Sequence, residues 1–362
     1  MDKFDKEKIK KLRAWSKGKN QAPYYLCIRP SYQCNLNCVS CVGHPNKKGH
    51  AISDERYISI IKEAIDLGIK EIRIDGGAEP LIRLDLVKRI VKLAKENRMK
   101  GFMTTNSTLF DEELIDSMVK LGWDVVNLSI QGDTPKLDNK LRGKKAFERT
   151  ISTLKNFKRL KEKYKTKKLN IRLTVLVHKE NYKRLPNFVK LANKYNADMT
   201  IQAFALWSEK GKKLRFTEED YKLLPKYVTK AKKLADKFGI YTNVESLLEQ
   251  NLLENTNNMI KIINKDVKKN KSLNSFFNLP CFEPWYFMMI TEFGTVARCI
   301  GDFDNNFYLG NKSLKEIWNS KHYNDLRKRL LDNNLPNFCK RCCHPQIMET
   351  RELRERLQKD VS

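Results

Sequence analysis

Tyr24-Tyr25-Leu26-Cys27-Ile28 is an apolar run of β type, and it leads into Cys34-Asn35-Leu36-Asn37-Cys38-Val39-Ser40-Cys41, three thiols within eight residues. The segments downstream of this strand and loop decide the fold. Helix signals begin at Ser53-Asp54, with Ile58, Ile61 and Ile65 on one face. Glu71-Ile72-Arg73-Ile74-Asp75 reads as the next strand, ending in Gly76-Gly77. A helix with Leu86, Val87, Ile90 and Ala94 comes next, then the strand Gly101-Phe102-Met103-Thr104. The pattern repeats: helix 112–121 before strand 124–130, helix 147–160 before strand 169–177, and helix 185–195 before strand 198–204. Six strands each separated by a helix require parallel pairing with right-handed crossovers. The expected fold is a parallel α/β sheet, open or barrel-like, with helices outside and functional groups at the C-terminal ends of the strands.

Beyond residue 204 the periodicity changes. Helical segments at 218–238 and 244–253 lead to a polar linker, 255–275, a second cysteine-bearing region, 281–343, and a charged helical tail, 346–359. With 362 residues, 41% of them hydrophobic, the chain can bury a large core and more than one domain is expected. No run of eighteen apolar residues appears, so no membrane span is expected. The N-terminus, Met1-Asp2-Lys3-Phe4-Asp5-Lys6, has no apolar signal core. Nine cysteines without such a signal point to a reducing, cytoplasmic setting, where thiols bind metal more often than they pair. The net charge of +28 favours anionic partners. The lysines are nevertheless spread over the whole chain, and the densest patch, Lys161 to Lys168, has only Tyr164 as an interleaved aromatic. A dedicated nucleic-acid surface is therefore not expected.

The loop Cys34–Cys41 is long enough to wrap one side of a cubane cluster, each thiolate taking one iron. Three ligands for four irons leave one iron open. A zinc site would want a fourth ligand, which His44 offers. A three-then-two gap after a first strand favours the cluster, since zinc sites usually use paired two-residue gaps.

C-x3-C-x2-C after the first strand of a βα array resembles the radical S-adenosylmethionine (SAM) superfamily, over roughly residues 22–205. Gly76-Gly77-Ala78-Glu79-Pro80 looks like the family's glycine–glycine–glutamate–proline element, which binds the methionine amino group of SAM; glycines there let backbone approach a ligand. Thr104-Thr105-Asn106-Ser107 resembles the family's Thr-Asn-Gly. By position the resemblance also implies SAM contacts from Ser129, from Arg172 to the SAM carboxylate, and from Gln202 to the adenine or ribose. An ordinary buried hydrogen bond is the competing reading for these three. Two positions depart from the family: Ser40 stands where an aromatic usually precedes the third cysteine, and Gln131 where an acid is more usual. The resemblance implies a partial (β/α)6 parallel barrel that binds a [4Fe–4S] cluster through Cys34, Cys38 and Cys41. It implies reductive cleavage of SAM, a 5′-deoxyadenosyl radical that abstracts a substrate hydrogen, and an electron donor such as flavodoxin or ferredoxin.

Downstream, Cys281, Cys299, Cys339 and Cys342 make a possible four-thiolate site, with a zinc ribbon as the competing structural device. Their order, with Pro284-Trp285, Gly294 and Leu309-Gly310-Asn311 running into Leu314–Trp318, resembles the SPASM or shorter "twitch" extension. The further cysteines of a full SPASM pattern are missing, which implies one auxiliary [4Fe–4S] cluster in a small C-terminal domain. Spacing leaves Cys342 and Cys343 as alternatives for the fourth ligand. Cys343, if free, becomes a candidate hydrogen-atom donor. Cys27 is expected in the core, and Trp285 and Trp318 in packing roles. The division expected is a basic extension 1–21, the core 22–205, a helical segment and linker 206–275, the auxiliary domain 276–345 and the tail 346–362.

The expected function is a radical SAM oxidoreductase or epimerase acting on a polar small molecule such as a sugar or aminocyclitol, anionic if the basic field is a guide. The residues ahead of Cys34 are too few for an independent leader-binding domain, which tilts the reading away from a peptide substrate without closing it. The alternative from another class is a zinc-stabilised nucleic-acid-binding protein.

Overall fold

The computed structural model describes residues 3–41, 51–143, 145–202, 210–248, 259–269, 274–302, 307–342 and 344–359. Helix α1 (Lys3–Ser16) precedes strand β1 (Tyr25–Ile28), and α2 (Asp54–Asp66) precedes β2 (Glu71–Ile74). Then come α3 (Leu84–Glu96), β3 (Lys100–Thr105), α4 (Glu112–Leu121), β4 (Val125–Ile130) and the pair α5 (Pro135–Arg142) and α6 (Ala146–Lys163). Strand β5 (Asn170–Leu176), α7 (Leu185–Lys194) and β6 (Asp198–Gln202) complete the first six strands, and α8 (Glu218–Phe238) comes after them. Local signals act as expected. Ser53 and Asp111 accept hydrogen bonds from Arg56 N and Leu114 N to cap α2 and α4. Leu86, Val87, Ile90, Val91 and Ala94 form the buried stripe of α3.

The sheet order is β6-β5-β4-β3-β2-β1, continued by β7 (Phe287–Ile290) and β8 (Val296–Ala297). All neighbours from β6 to β7 are parallel, and β8 returns antiparallel to β7. The partial parallel barrel is thus present with an addition. A seventh parallel strand from the downstream cysteine region pairs Tyr25 with Phe287 and Ile28 with Ile290.

Side-chain alternation divides the sheet into two faces. Ile72, Ile74, Met103, Val126, Leu128, Leu173 and Val175 face the helices in the main core. The other face is polar over β3 to β6, carrying Thr104, Asn127, Ser129, Arg172, Thr174, Asp198 and Thr200, all partly exposed. At the β1 edge this face is instead apolar and covered. There Tyr25, Cys27, Phe287 and Met289 pack with Leu12, Phe282 and Trp285, and with Leu326, Leu330 and Leu353 from α11 (Lys321–Leu331) and α12 (His344–Lys359).

One expectation changes in detail, and another is followed only part-way. The stretch read as a polar linker contains helix α9 (Met259–Lys269), and α10 (Leu314–Trp318) opens with a Ser313–Glu316 capping box. Strand β6 is described only to Gln202. Cys27 is buried, Trp285 packs edge-on against Phe276 at 5.4 Å, and the Trp318 Nε1–H donates to Gln21 O at 2.6 Å.

Candidate active site

The loop after β1 is tied down on three sides. Val39 N donates to Leu141 O at 2.9 Å, Glu79 N donates to Gln33 O at 3.0 Å, and Asn35 Nδ2 donates to Thr108 Oγ1 at 2.8 Å. Two donors reach the Cys34 sulfur, Leu36 N at 3.4 Å and Asn106 Nδ2 at 3.6 Å. Cys38 Sγ lies 3.8 Å from Arg142 O, and Cys41 N donates to Cys38 O at 3.1 Å. Burial pushes the Cys34 thiol up and the Cys38 thiol up to about 12, Arg142 opposing the rise at Cys38. Both also feel Cys41, so the three sulfurs share one electrostatic neighbourhood. Bare, such thiols stay protonated; binding a metal ion is what deprotonates them.

Past β2, Gly76 makes a turn that no side chain allows, since an added Cβ would stand 1.9 Å from the Ala78 carbonyl oxygen. The open face of Gly77 looks toward Arg29 Nη1 and Glu292 Oε2, 3.5 and 3.8 Å from where a Cβ would be. Glu292, just past β7, is 5% exposed, and that oxygen has no hydrogen-bond partner among the described residues. Glu79 is buried and accepts from Leu81 N at 3.0 Å, Thr105 Oγ1 at 2.6 Å and Asn106 N at 2.7 Å. Burial pushes its carboxyl up, and these three bonds and Arg142 oppose that. Glu79 therefore braces the ends of β2 and β3, and Pro80 begins the 3-10 turn directly after it.

Of the remaining predicted contacts, Ser129 sits level with Thr174 and Thr200 across β4, β5 and β6. Arg172 lies two residues earlier, level with Asn127 and Asp198. Its buried Nε has no partner among the described residues, and its guanidinium carbon is 5.9 Å from the Tyr241 ring centroid. Gln202, the last described residue of β6, is exposed and lies one row beyond Thr200 on the same face.

Downstream, Cys281 Sγ accepts from Glu283 N at 3.4 Å and from the Thr350 hydroxyl of α12. Burial raises Cys281, Cys299 and Cys339, the last to about 11. Cys281 feels Cys339, and Cys299 feels Cys281, so these thiols also gather. Cys342 N donates to Cys339 O at 3.1 Å, while Cys343, like His44, lies outside the described residues.

Residues 28–192 match the radical SAM superfamily, and residues 281–343 match SPASM, an iron–sulfur cluster-binding domain; together they take in more than half of the chain. The chain belongs to the radical SAM superfamily. Among curated relatives, it is 27% identical over 183 residues to PqqA peptide cyclase of Granulibacter bethesdensis, covering 50% of this chain and 46% of that protein. It is 30% identical over 176 residues to GTP 3′,8-cyclase of Clostridium botulinum, covering 47% and 53%. The chain thus spans about half the length of these relatives. In fold it is similar to Streptococcus suis SuiB bound to S-adenosylmethionine, with a TM-score of 0.64, 19% identity, and coverage of 88% of this chain and 71% of that one.

The cofactors of this radical SAM enzyme are a [4Fe–4S] cluster with SAM, and auxiliary iron–sulfur binding in the SPASM domain. The chain's own residues fit them. The first loop offers three thiols and no fourth, Gly77 leaves a backbone cradle, and Glu292 beside it holds a buried oxygen with no partner among the described residues. No three His, Cys, Asp or Glu among the described residues converge on a single ion. A cubane asks for thiols spread around it, each on a different iron, rather than meeting at a point.

Three features of the site escape a reading by motif. Arg142 is 1% exposed and donates to Asp138 Oδ2 at 3.1 Å, to Thr150 Oγ1 at 3.3 Å and to Asn106 O. It joins the cluster loop to the end of β3; the signal in the sequence was an acid four residues before an arginine, ahead of Gly143. Glu292 carries no signal beyond its place after an apolar run. Ser40 and Gln131, the two departures from the family, touch each other: Gln131 Nε2 is 2.9 Å and Oε1 3.2 Å from Ser40 Oγ.

Proposed function

We propose that this radical SAM enzyme abstracts a hydrogen atom from a polar, anionic small molecule of the sugar or aminocyclitol kind, oxidising or epimerising it. The observation that carries the reading is the polar face of β3 to β6, where Arg172, level with Asn127 and Asp198 and one row below Ser129 and Thr174, keeps an Nε with no partner among the described residues. Such a surface suits a hydroxylated ligand with one negative group. Cys34, Cys38 and Cys41 hold the cluster, which, when loaded, supplies the electron that cleaves SAM reductively. Asn106 orients Cys34 through its amide. Gly76 to Pro80 and Ser129 face SAM. Arg172, one row deeper than Ser129, is offered to the substrate rather than to the cluster loop, where Arg142 already stands. Cys281, Cys299, Cys339 and Cys342 hold one auxiliary cluster that exchanges electrons with the substrate, and an acidic flavodoxin or ferredoxin docks on the basic surface. Eight described cysteines without a disulfide suit a reducing cytoplasm, and no helix among the described residues is long and apolar enough to cross a membrane.

A peptide substrate is the second reading, favoured by the similarity to PqqA peptide cyclase. Anaerobic protein given dithionite and SAM should form 5′-deoxyadenosine, and Cys34→Ala should abolish it. Deuterium transferred into 5′-deoxyadenosine from labelled aminocyclitols or sugar phosphates supports the first reading. Transfer only from peptides overturns it, and a colourless zinc protein overturns both.

A further inference from the structure

Asn106 directly follows β3, and its amide sits in a ring of hydrogen bonds that runs in one direction only. The Thr108 N–H can only donate, so the atom it meets at 3.0 Å, Asn106 Oδ1, is the carboxamide oxygen. The other end, Nδ2, therefore faces the cluster loop and donates to Asn35 Oδ1 at 2.8 Å. Asn35 Nδ2 donates in turn to Thr108 Oγ1 at 2.8 Å, and the Thr108 hydroxyl returns its proton to Asn106 Oδ1 at 2.7 Å. The Asn106 amide cannot turn over without breaking this circuit. Its main chain is held as well: Asn106 N donates to Glu79 Oε2 at 2.7 Å, and its carbonyl accepts from Arg142 Nη2 and from the Ser107 hydroxyl.

A carboxamide has two N–H donors and two carbonyl lone pairs. Thr108 takes both lone pairs, and Asn35 takes one donor. The second N–H is directed at Cys34 Sγ, 3.6 Å away, where Leu36 N at 3.4 Å is the other donor. Nothing of the amide is left over for a ligand. Cys38 is treated differently, since the atom 3.8 Å from its sulfur is the Arg142 carbonyl oxygen, which has no proton to give.

Hydrogen bonds to thiolate sulfur stabilise the more negative, reduced form of a cluster and so raise its reduction potential. We infer that the Asn106 carboxamide, locked by Thr108 and Asn35, raises the reduction potential of the [4Fe–4S] cluster through Cys34. Asn106 is thus a positioning residue that eases the reduction preceding SAM cleavage. This rests on Cys34 holding the cluster, and the test separates the two.

The test is a potentiometric titration of the anaerobic, iron-loaded, SAM-free protein followed by electron paramagnetic resonance. The signal that changes when SAM is added identifies the cluster of the first loop. In Asn106→Leu, of similar size, the reduced fraction at a fixed potential should fall by up to about tenfold, a downward shift of about 59 mV for one electron. A loop merely loosened would let water reach the cluster, which favours the more charged reduced form and shifts the potential upward. In heavy water, pulsed resonance on the reduced wild-type cluster should detect exchangeable deuterons from Leu36 N and Asn106 Nδ2, and Asn106→Leu should lose the second. An unchanged or raised potential in Asn106→Leu, or a wild-type deuteron signal identical to that of the variant, overturns the inference. Iron and sulfide analysis checks each protein, and Asn106→Val replaces Asn106→Leu if the latter does not retain iron. A wild-type protein with no iron–sulfur signal that responds to SAM overturns the assignment of Cys34 to the cluster, and so is told apart from an unshifted potential.

Discussion

Replacing Arg142 by methionine removes the cation from a pair in which neither side chain reaches water, at 1% and 0% exposure. Three acceptors lose a donor: Asp138 Oδ2, Thr150 Oγ1 and Asn106 O, the last two keeping a contact with the Ser107 hydroxyl. Burial pushes the Asp138 carboxyl up, and Arg142 is foremost among the groups that oppose this. Asp138 keeps the two backbone donors on its other oxygen, from Gln131 and Gly132, so it is weakened rather than stranded. Breaking a buried pair from one side costs about 3–5 kcal/mol. Methionine fills most of the volume, so the cavity contribution is small. The loss corresponds to a fall in melting temperature on the order of 4–7 °C for a chain of 362 residues. Unfolding should be monitored on iron-free and iron-loaded protein, because bound metal stabilises the native state and hides part of the effect. Adding Asp138→Asn should recover part of the loss, with a coupling of about 1–3 kcal/mol, since no unpaired charge is then left inside. A fall of less than about 2 °C in the iron-free protein would refute the claim that this pair holds the cluster loop.

Gly76→Ala should destabilise the protein and weaken SAM binding, because its methyl group meets backbone at 1.9 Å, whereas Gly77→Ala should melt close to the wild type. Equal melting of the two variants would count against the turn. Cys299→Ser should lower bound iron from about eight to about four per chain while Cys34→Ala spares the auxiliary iron, read by iron and sulfide analysis. Burial lowers His178 to about 4, below its ordinary 6.5. Its neutral form therefore contributes stability above pH 6.5 that is lost as pH falls from 6.5 through 4, about 3 kcal/mol in all. A melting curve against pH for His178→Gln should lack this part of the acid slope.

The first six strands were legible because each is short, apolar and separated by an amphipathic helix. Phe287–Ile290 was not: it is buried on both faces, so it shows no alternation, and periodicity alone does not assign such a run. Helix α9 was hidden because lysines and asparagines dominate the stretch 255–275, although Ile263 lies in the core. At the site, the three loop cysteines and the glycine turn announce themselves by spacing. Arg142 and Glu292 act through partners far away in the chain, such as Asn106 and Gly77, and sequence spacing carries no trace of such meetings. Ser40 and Gln131 each looked like an isolated departure. Only their contact makes them one feature.

The pairing of β7 with β1 bears on how the two cysteine groups are spaced. Cys34 comes six residues after β1, Cys281 lies six before β7, and four parallel residue pairs join the two strands. The two faces of β7 pack in separate cores, Met288 and Ile290 with the helices, Phe287 and Met289 with Tyr25 and Cys27. The span between the two cysteine groups is therefore set by strand geometry rather than by a hinge. Grafting the downstream region onto another core would have to carry the facing edge of β1 with it to keep the same spacing.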